Sequence, residues 1–350
     1  MGLTKSAALQ HTAERLAELF GVRPQDVLIE AETDAATGVR IRVAGFHFQV
    51  EWRASGKVDV VARGVRALQH ADSSPTLVPL LVVPYMGAAG QRRCRDAGVA
   101  WLDLSGNAHI VVPGLRIVVL GHDNEFKKVG RPSNAFAPKS ARISRWLLMH
   151  PNEPTLQRDL ARHTGVDEGY TSRIVGRLTE MDLLRRDADG LLSVPEPGLL
   201  LDAWSEGYRF DRHRLVRGHL AARTGDELTD KLASRLQSNG IAHAFTGLPA
   251  AWQYSHFAMF RLASVYLPDG ATQSTLEALG VREGSRGANV WLLTPDDEGV
   301  LQGARDVDGL RCVHPVQVWL DLQEHPERAS EAADALRSQY LGPGGGPRRA

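Results

Sequence analysis

The chain has 350 residues, of which 43% are hydrophobic and 23% charged, and its 41 basic side chains balance its 41 acidic ones. This composition excludes the collagen-like and disordered classes, and the length suffices for two or three domains. No apolar run is as long as a membrane span, and no basic-then-apolar signal pattern opens the chain. The two cysteines, Cys94 and Cys312, offer no disulfide or zinc framework. We therefore expect a cytoplasmic protein without a membrane partner.

Alternating helical and strand-like patterns fill residues 1–123. Residues 5–20 place their apolar side chains on one side of a helix, and three strand-like runs follow between 27 and 53. After a helical segment at about 56–70, a strand with continuous apolar residues, of the kind buried on both faces, is predicted in PLLVVPYM. A short helix and further strands complete the region. The pattern predicts a mixed sheet with flanking helices.

This order of helix, three strands, helix and strand resembles the core of the restriction-endonuclease-like fold. Enzymes of that fold hold a divalent metal with an Asp and a Glu-x-Lys on adjacent strands. Glu51-Trp52-Arg53 stands where Glu-x-Lys would be, and a permanently protonated arginine replaces that lysine poorly. The preceding strand, GVRIRVAG, contains no aspartate. We expect a nuclease-like domain over 1–123 that is catalytically inactive.

Residues 124–140, NEFKKVGRPSNAFAPKS, have little periodicity and predict a linker between domains. From Lys127 to Arg186, 12 Lys and Arg face 6 Asp and Glu, so a basic middle separates two acidic flanks. This distribution is typical of a DNA-contacting module inside a larger protein. The linker side chains predicted to follow a phosphate backbone are Lys127, Lys128, Arg131 and Lys139.

Residues 141–195 contain three helical patterns and a hairpin. Apolar residues recur at helical spacing in ARISRWLLMHP, in TLQRDLARHTG and in DEGYTSRIVGRLTEMDLL. Gly165 is placed to end the second helix, and Asp167 is placed to cap the third. Two short strands joined at Asp189-Gly190, a dipeptide suited to a tight turn, are predicted in LLRRDADGLLSV. Three helices followed by a two-stranded wing describe a winged helix-turn-helix.

The third of these helices has a second, non-apolar face. At 100° per residue, the positions opposite the apolar stripe are Gly169, Ser172, Gly176 and Glu180. Arg173 and Arg177 lie along one flank of this face. Small side chains let a helix approach a nucleic-acid groove, and arginines reach phosphates or guanine edges. The alternative is a solvated face with two helix-weakening glycines; we favour DNA binding. The predicted contacts of the helix and the wing are Gly169, Tyr170, Thr171, Ser172, Arg173, Gly176, Arg177, Arg185 and Arg186.

Helical and strand-like patterns alternate again from 196 to 341. A helix is predicted in DELTDKLASRLQ, where leucine recurs every four residues. Strand-like IAHAFTG, RLASVYL and ANVWLL then alternate with helical LPAAWQYSHFA and STLEALG. This order is typical of an α/β domain, which ends in a helix within ERASEAADALRSQYL. We expect the tail at 342–350, GPGGGPRRA, to be disordered.

Three runs in this region carry a family resemblance: TGLPAAW at 246–252, RGANVWLL at 286–293 and RCVHPVQVWLDL at 311–322. With HPERASEAADALR after them, they resemble the C-terminal domain of AbiE-type antitoxin regulators, which are transcriptional regulators of type IV toxin–antitoxin systems. The resemblance covers about residues 138–340. It implies a winged helix-turn-helix joined to a nucleotidyltransferase-like domain, and repression of the protein's own operon. In true antitoxins it also implies action against a nucleotidyltransferase toxin without stable contact.

Binding rather than catalysis is the expected chemistry of the C-terminal domain. Active nucleotidyltransferases need a Gly-Ser turn followed by paired aspartates that hold a metal. No Asp-x-Asp follows Thr246-Gly247, and Asp296-Asp297 lies in a predicted loop. The thirteen histidines show no metal-ligand cluster. We therefore predict no metal, no cofactor and no enzymatic activity.

The leading hypothesis is an α/β multidomain protein with a nuclease-like mixed sheet, a central winged helix-turn-helix and a nucleotidyltransferase-like domain. We expect it to act as a sequence-specific regulator of transcription, an antitoxin-like autorepressor that binds double-stranded operator DNA. One alternative is a metal-dependent DNA nuclease guided by the winged helix. The other is an antitoxin acting chiefly against a nucleotidyltransferase toxin. A homodimer is compatible with each of these hypotheses.

Overall fold

The computed structural model describes residues 4–31, 39–70, 76–126, 134–257 and 259–341. Within these ranges the chain has twelve α-helices, two seven-stranded mixed sheets and one three-stranded sheet, which confirms the predicted α/β class. It divides into two compact units, Met1–Arg131 and Pro132–Ala350. In the described part of the chain, no helix combines the length and apolar composition needed to cross a bilayer. The predicted disordered tail at 342–350 lies outside the described residues.

The first unit follows the predicted order of helices and strands. Its elements are α1 Lys5–Phe20, β1 Leu28–Ala31, β2 Val39–Val43, β3 Phe46–Trp52, α2 Val58–His70, β4 Leu77–Val83, α3 Ala88–Asp96, β5 Ala100–Asp103, β6 Ala108–Val112 and β7 Leu115–Val119. The strands lie in chain order across the sheet. β3, β4 and β5 are parallel, because α2 and α3 make the crossovers between them, and the outer pairs are antiparallel.

Both faces of the central strand of this sheet are buried. Leu80 and Leu81 are adjacent in β4, so their side chains point to opposite faces. Leu80 joins a core that contains Leu16 of α1. Leu81 joins a second core that contains Val61 of α2 and Cys94 of α3. The two-sided burial predicted for the apolar strand is confirmed.

The second unit begins with three helices and a small sheet, which we call the three-helix module. Its elements are α4 Pro138–Met149, β8 Thr155–Leu156, α5 Gln157–Thr164, α6 Glu168–Glu180, β9 Arg185–Arg186 and β10 Leu191–Ser193. The sheet order is β8-β10-β9, so it has one strand more than the predicted hairpin. A two-residue strand is too short for side-chain alternation to indicate it.

The rest of the second unit is a seven-stranded mixed sheet with helices. Its elements are α7 Pro197–Ser205, β11 Arg214–His219, α8 Gly225–Ser238, β12 Ala244–Thr246, α9 Gly247–Ser255, β13 Ala263–Tyr266, α10 Gln273–Leu279, β14 Arg282–Glu283, β15 Val290–Thr294, β16 Arg305–Val307, β17 Leu310–Cys312, α11 Pro315–Leu322 and α12 Ala329–Leu336. The strand order is β14-β11-β15-β13-β12-β17-β16. β11 was not predicted from the sequence; its register with β15 runs from Arg214↔Thr294 to Gly218↔Val290.

Candidate nucleic-acid interface

α6 is held in the three-helix module by its apolar stripe and its cap. Ile174, Val175 and Leu178 are buried, as their helical spacing predicts. Asp167 caps the helix: its Oδ1 accepts a hydrogen bond of 2.8 Å from the amide of Tyr170. Gly165, with φ +64°, ends α5 in the left-handed conformation that a side chain would disfavour. The backbone therefore turns sharply between α5 and α6.

The opposite face of α6 is exposed, and three of its residues, Gly169, Ser172 and Gly176, are small. Gly169, Ser172, Arg173, Gly176 and Arg177 are all exposed. A Cβ atom added at Gly176 would meet no atom within 4 Å, so the backbone there is open to an approaching molecule. No left-handed backbone angle requires this glycine. Glycine at this position destabilises the helix by about 1 kcal/mol relative to alanine. This cost favours a role in which another molecule approaches the helix backbone closely.

Arg173 is positioned by an aromatic neighbour. Its Cζ lies 5.1 Å from the centre of the Tyr170 ring, a distance at which a cation is attracted to the face of an aromatic ring. The Tyr170 hydroxyl in turn lies 3.4 Å from Ser140 Oγ in α4. The guanidinium group of Arg173 therefore lies over the Tyr170 ring, which is itself hydrogen-bonded to α4.

Thr171 does not belong to the exposed face and is removed from the predicted contacts. Its side chain is fully buried, and its hydroxyl donates to the carbonyl of Val166 at 3.4 Å. The polar residue type suggested a surface position, but a buried threonine whose hydroxyl has a backbone acceptor packs as an apolar residue does.

The hairpin between β9 and β10 presents the other predicted arginines. Arg185 and Arg186 are exposed; Arg186 Nη2 donates to Gln157 Oε1 of α5 at 2.7 Å. The turn closes through Asp187, whose Oδ1 accepts from the amides of Asp189 and Leu191 at 3.0 and 2.8 Å. The hairpin thus presents two cations beside α5, one of them held by a side-chain hydrogen bond.

The predicted basic linker is described only in part. Lys139 is exposed in the first turn of α4, where its ammonium group is open to a ligand. Lys127, Lys128 and Arg131 lie outside the described residues.

α4 has a second packing face, which joins the three-helix module to the C-terminal sheet. Arg142 binds Asp297 through two hydrogen bonds, Nε to Oδ1 at 2.7 Å and Nη2 to Oδ2 at 2.8 Å. One turn later, the buried Arg145 donates from Nη2 to Gln317 Oε1 of α11 at 2.5 Å. Its Cζ lies 5.1 Å from the centre of the Trp204 ring of α7. α4 also packs on α6, so α6 is held in place from the C-terminal domain.

A buried carboxylate lies behind this joint. Asp321 of α11 is fully buried and accepts hydrogen bonds from Tyr208 at 2.5 Å, Tyr266 at 3.0 Å and Gln317 at 2.7 Å. The Thr246 hydroxyl also donates to it. Burial raises the pKa of the Asp321 carboxyl; burial also lowers the pKa of Arg145. These donors occupy the carboxylate oxygens, which makes Asp321 a structural centre rather than a free acid.

His314 adds a titratable cap to the same helix. Its Nδ1 accepts a hydrogen bond from the amide of Val316 at 3.2 Å, which requires the neutral ring. Burial, with the nearby cations Arg305 and Arg145, lowers the pKa of His314 from 6.5 to about 3. In the unfolded chain His314 is therefore protonated below pH 6.5, whereas in the folded chain it stays neutral down to about pH 3.

We expect acid to destabilise the second unit through His314. Stability is lost as the pH falls from 6.5 toward 3, by up to about 1.4 kcal/mol per pH unit for one histidine. His314→Asn keeps an N-cap acceptor but cannot titrate. Urea unfolding at about pH 7 and pH 4.5 should therefore show a smaller fall in the free energy of unfolding for this variant than for the parent. His256→Asn, an exposed position with φ +50° that asparagine tolerates, is the matched control. Equal acid losses in parent and His314→Asn would contradict the prediction.

The candidate catalytic positions are already engaged within the fold. Glu51 lies 2.7 Å from Arg53 Nη2, so a metal would have to compete with this ion pair. Thr246 donates to Asp321, and a Cβ at Gly247 would lie 2.9 Å from His325 Nε2. Asp297 is held by Arg142. No protein-family model, curated protein or solved structure matches the chain.

Proposed function

We propose that this protein is a sequence-specific regulator of transcription that binds double-stranded DNA. The three-helix module acts as a winged helix-turn-helix, with α6 as the recognition helix and the β9–β10 hairpin as the wing. The observation that carries the proposal is the exposed face of α6, where the open backbone at Gly176 lies beside Arg173 and Arg177.

The chemistry of this face suits the major groove. A helix fits that groove, and an arginine can donate two hydrogen bonds to a guanine edge. Arg173 lies in the first half of α6, the end that meets base edges in helix-turn-helix proteins. Glycine at position 176 lets the helix axis approach the bases more closely than a longer side chain would.

Base readout also needs a recognition helix that does not move. α4 supplies that support, because Arg142 and Arg145 bind Asp297 and Gln317 of the C-terminal domain. Hydrogen bonds to bases depend on donor positions to within a few tenths of an ångström. A recognition helix held in place by α4 is consistent with sequence-specific binding.

The flanking domains suit the antitoxin-like autorepressor that the family resemblance implies. In this proposal the first unit has a restriction-endonuclease-like fold without catalysis, and the C-terminal sheet is nucleotidyltransferase-like. Operator DNA is the principal partner, and a nucleotidyltransferase toxin is a second candidate partner. A homodimer would place two recognition helices on two half-sites.

Selection from a random duplex library, followed by binding titrations on the selected sequence, tests this function. Arg173→Ala should relax the preference at one base pair of each site by about 1–3 kcal/mol. Arg185→Ala should instead weaken binding to all sequences and reduce the salt slope by about one unit. Failure to enrich any sequence, or equal loss on all sequences for both variants, would contradict sequence-specific binding by α6.

A further inference from the structure

A basic cleft of about 730 Å³ lies beside the C-terminal sheet. Its walls include Arg217 in β11, Arg223 before α8 and Arg261 before β13, and the loop at 285–289 lines one side. Among the described residues that line the cleft, Glu327 contributes a single carboxylate against these three guanidinium groups. The cleft therefore has an excess of positive charge.

No carboxylate among the described residues pairs directly with these cations, although Arg223 attracts the nearby Glu227, whose carboxylate is hydrogen-bonded to Lys231. Within the described ranges, none of the guanidinium groups of Arg217, Arg223 and Arg261 forms an ion pair. The Glu327 carboxylate instead accepts from the backbone amide of Arg261 at 3.5 Å. Guanidinium groups around one cavity repel each other and attract an anion with more than one charge.

A flat platform lies within the same cleft. The Cζ of Arg217 lies 5.5 Å from the centre of the Trp291 ring. Phe210 and His325 hold that indole, with ring centres 5.9 and 5.2 Å away. Arg217 itself is exposed, so its guanidinium plane is accessible to a ligand. Heterocyclic bases stack on such arginine planes.

The cleft is formed before any ligand arrives. Asn289 fixes the lining loop, because its side-chain amide exchanges hydrogen bonds of 3.0 and 2.8 Å with the backbone of Leu220. The N-terminus of α8 takes no part, since Thr224 and Glu227 already accept from amides there. The volume falls within the range of about 300–1,000 Å³ that small-molecule pockets occupy.

We propose that this cleft binds a nucleotide with more than one phosphate, with the base on Arg217 and the phosphates between Arg223 and Arg261. The combination of a flat platform and several unpaired cations distinguishes such a ligand from an apolar metabolite or a simple anion. Binding here is separate from the DNA contacts of α6.

Isothermal titration of the full chain with ATP and with GTP, in EDTA and without DNA, tests the site. We expect saturable one-to-one binding of at least one of them. Arg223→Ala should weaken it by about tenfold or more, as expected for loss of a charge-assisted contact. Arg214→Ala removes an exposed arginine of the same strand that does not line the cleft, and it should leave the affinity unchanged.

Arg217→Lys separates stacking from charge. Lysine keeps the positive charge but lacks the plane, so the nucleotide should bind about fivefold or more weakly. Binding of inorganic tripolyphosphate should not change. Retained circular dichroism and unfolding midpoints establish that each variant is folded.

Three results would overturn the proposal. The first is no saturable nucleotide binding by the folded protein, and the second is tripolyphosphate binding as tightly as the nucleotide. The third is displacement of the nucleotide by duplex DNA whose affinity falls in Arg217→Ala, which would make the cleft a nucleic-acid surface. Because the titrations contain no DNA, their failure leaves the proposed regulation of transcription untouched.

Discussion

Gly176→Glu is expected to abolish the proposed DNA binding while the protein stays folded. The substitution places a long, negatively charged side chain at the open point of the α6 face, where a Cβ meets no atom within 4 Å. Like charge against phosphates costs several kcal/mol, so affinity for the selected duplex should fall by about 100-fold or more. The buried stripe of Ile174, Val175 and Leu178 is unchanged. Fluorescence anisotropy with a labelled duplex at fixed salt measures the effect.

Two variants test whether the loss of binding comes from blocking the α6 backbone or from adding a negative charge anywhere on the protein. Gly176→Ala should raise the free energy of unfolding by about 0.5–1 kcal/mol, because helical glycine is destabilising, and it should reduce binding far less than glutamate does. Gly87→Glu adds the same charge at the open N-cap of α3, where φ is −69°, and should leave binding unchanged. If folded Gly176→Glu binds as tightly as the parent, α6 is not the recognition helix.

Arg145→Met should destabilise the second unit by about 3 kcal/mol or more, the cost of removing one partner from a buried ionic network. Only 3% of Arg145 is exposed. The substitution leaves Gln317 Oε1 without its donor and removes a cation that interacts electrostatically with Asp321. Methionine keeps the length and apolar stem of the side chain, so packing against Trp204 is largely retained. Urea unfolding followed by tryptophan fluorescence gives the change in free energy.

Arg142→Met provides the matched control on the same helix. Arg142 binds Asp297 in good geometry, but its side chain is 22% exposed, so solvent screens the pair. Its loss should cost about 1 kcal/mol. A larger loss for Arg142→Met than for Arg145→Met would show that the buried network does not stabilise the joint.

Local patterns in the sequence predicted most of the elements on which the candidate interface depends. Helical spacing of Ile174, Val175 and Leu178 identified the buried stripe of α6, and the same periodicity identified its exposed face. Asp167 and Gly165 marked the ends of the helices. These signals work because helix periodicity and capping involve residues within about four positions of each other.

Contacts between distant residues were beyond such patterns. The Arg145–Gln317 hydrogen bond joins residues 172 positions apart, and Tyr208 lies 113 positions from Asp321. Nothing local distinguishes Arg145 from an exposed helical arginine, since arginines are mostly exposed. Thr171 was misplaced for a different reason: its polar residue type suggests exposure, although helical periodicity puts it within the buried stripe of α6.

The sequence by itself determined the α/β class, the order of the main elements and the chemical character of the α6 face, because these follow from local periodicity and residue type. Tertiary structure alone decided which polar residues are buried and how α4 joins the C-terminal sheet. It also decided that Arg217, Arg223 and Arg261, from three separate segments, line one cleft. Such groupings depend on strand order and helix packing, which bring together residues that no spacing along the chain relates.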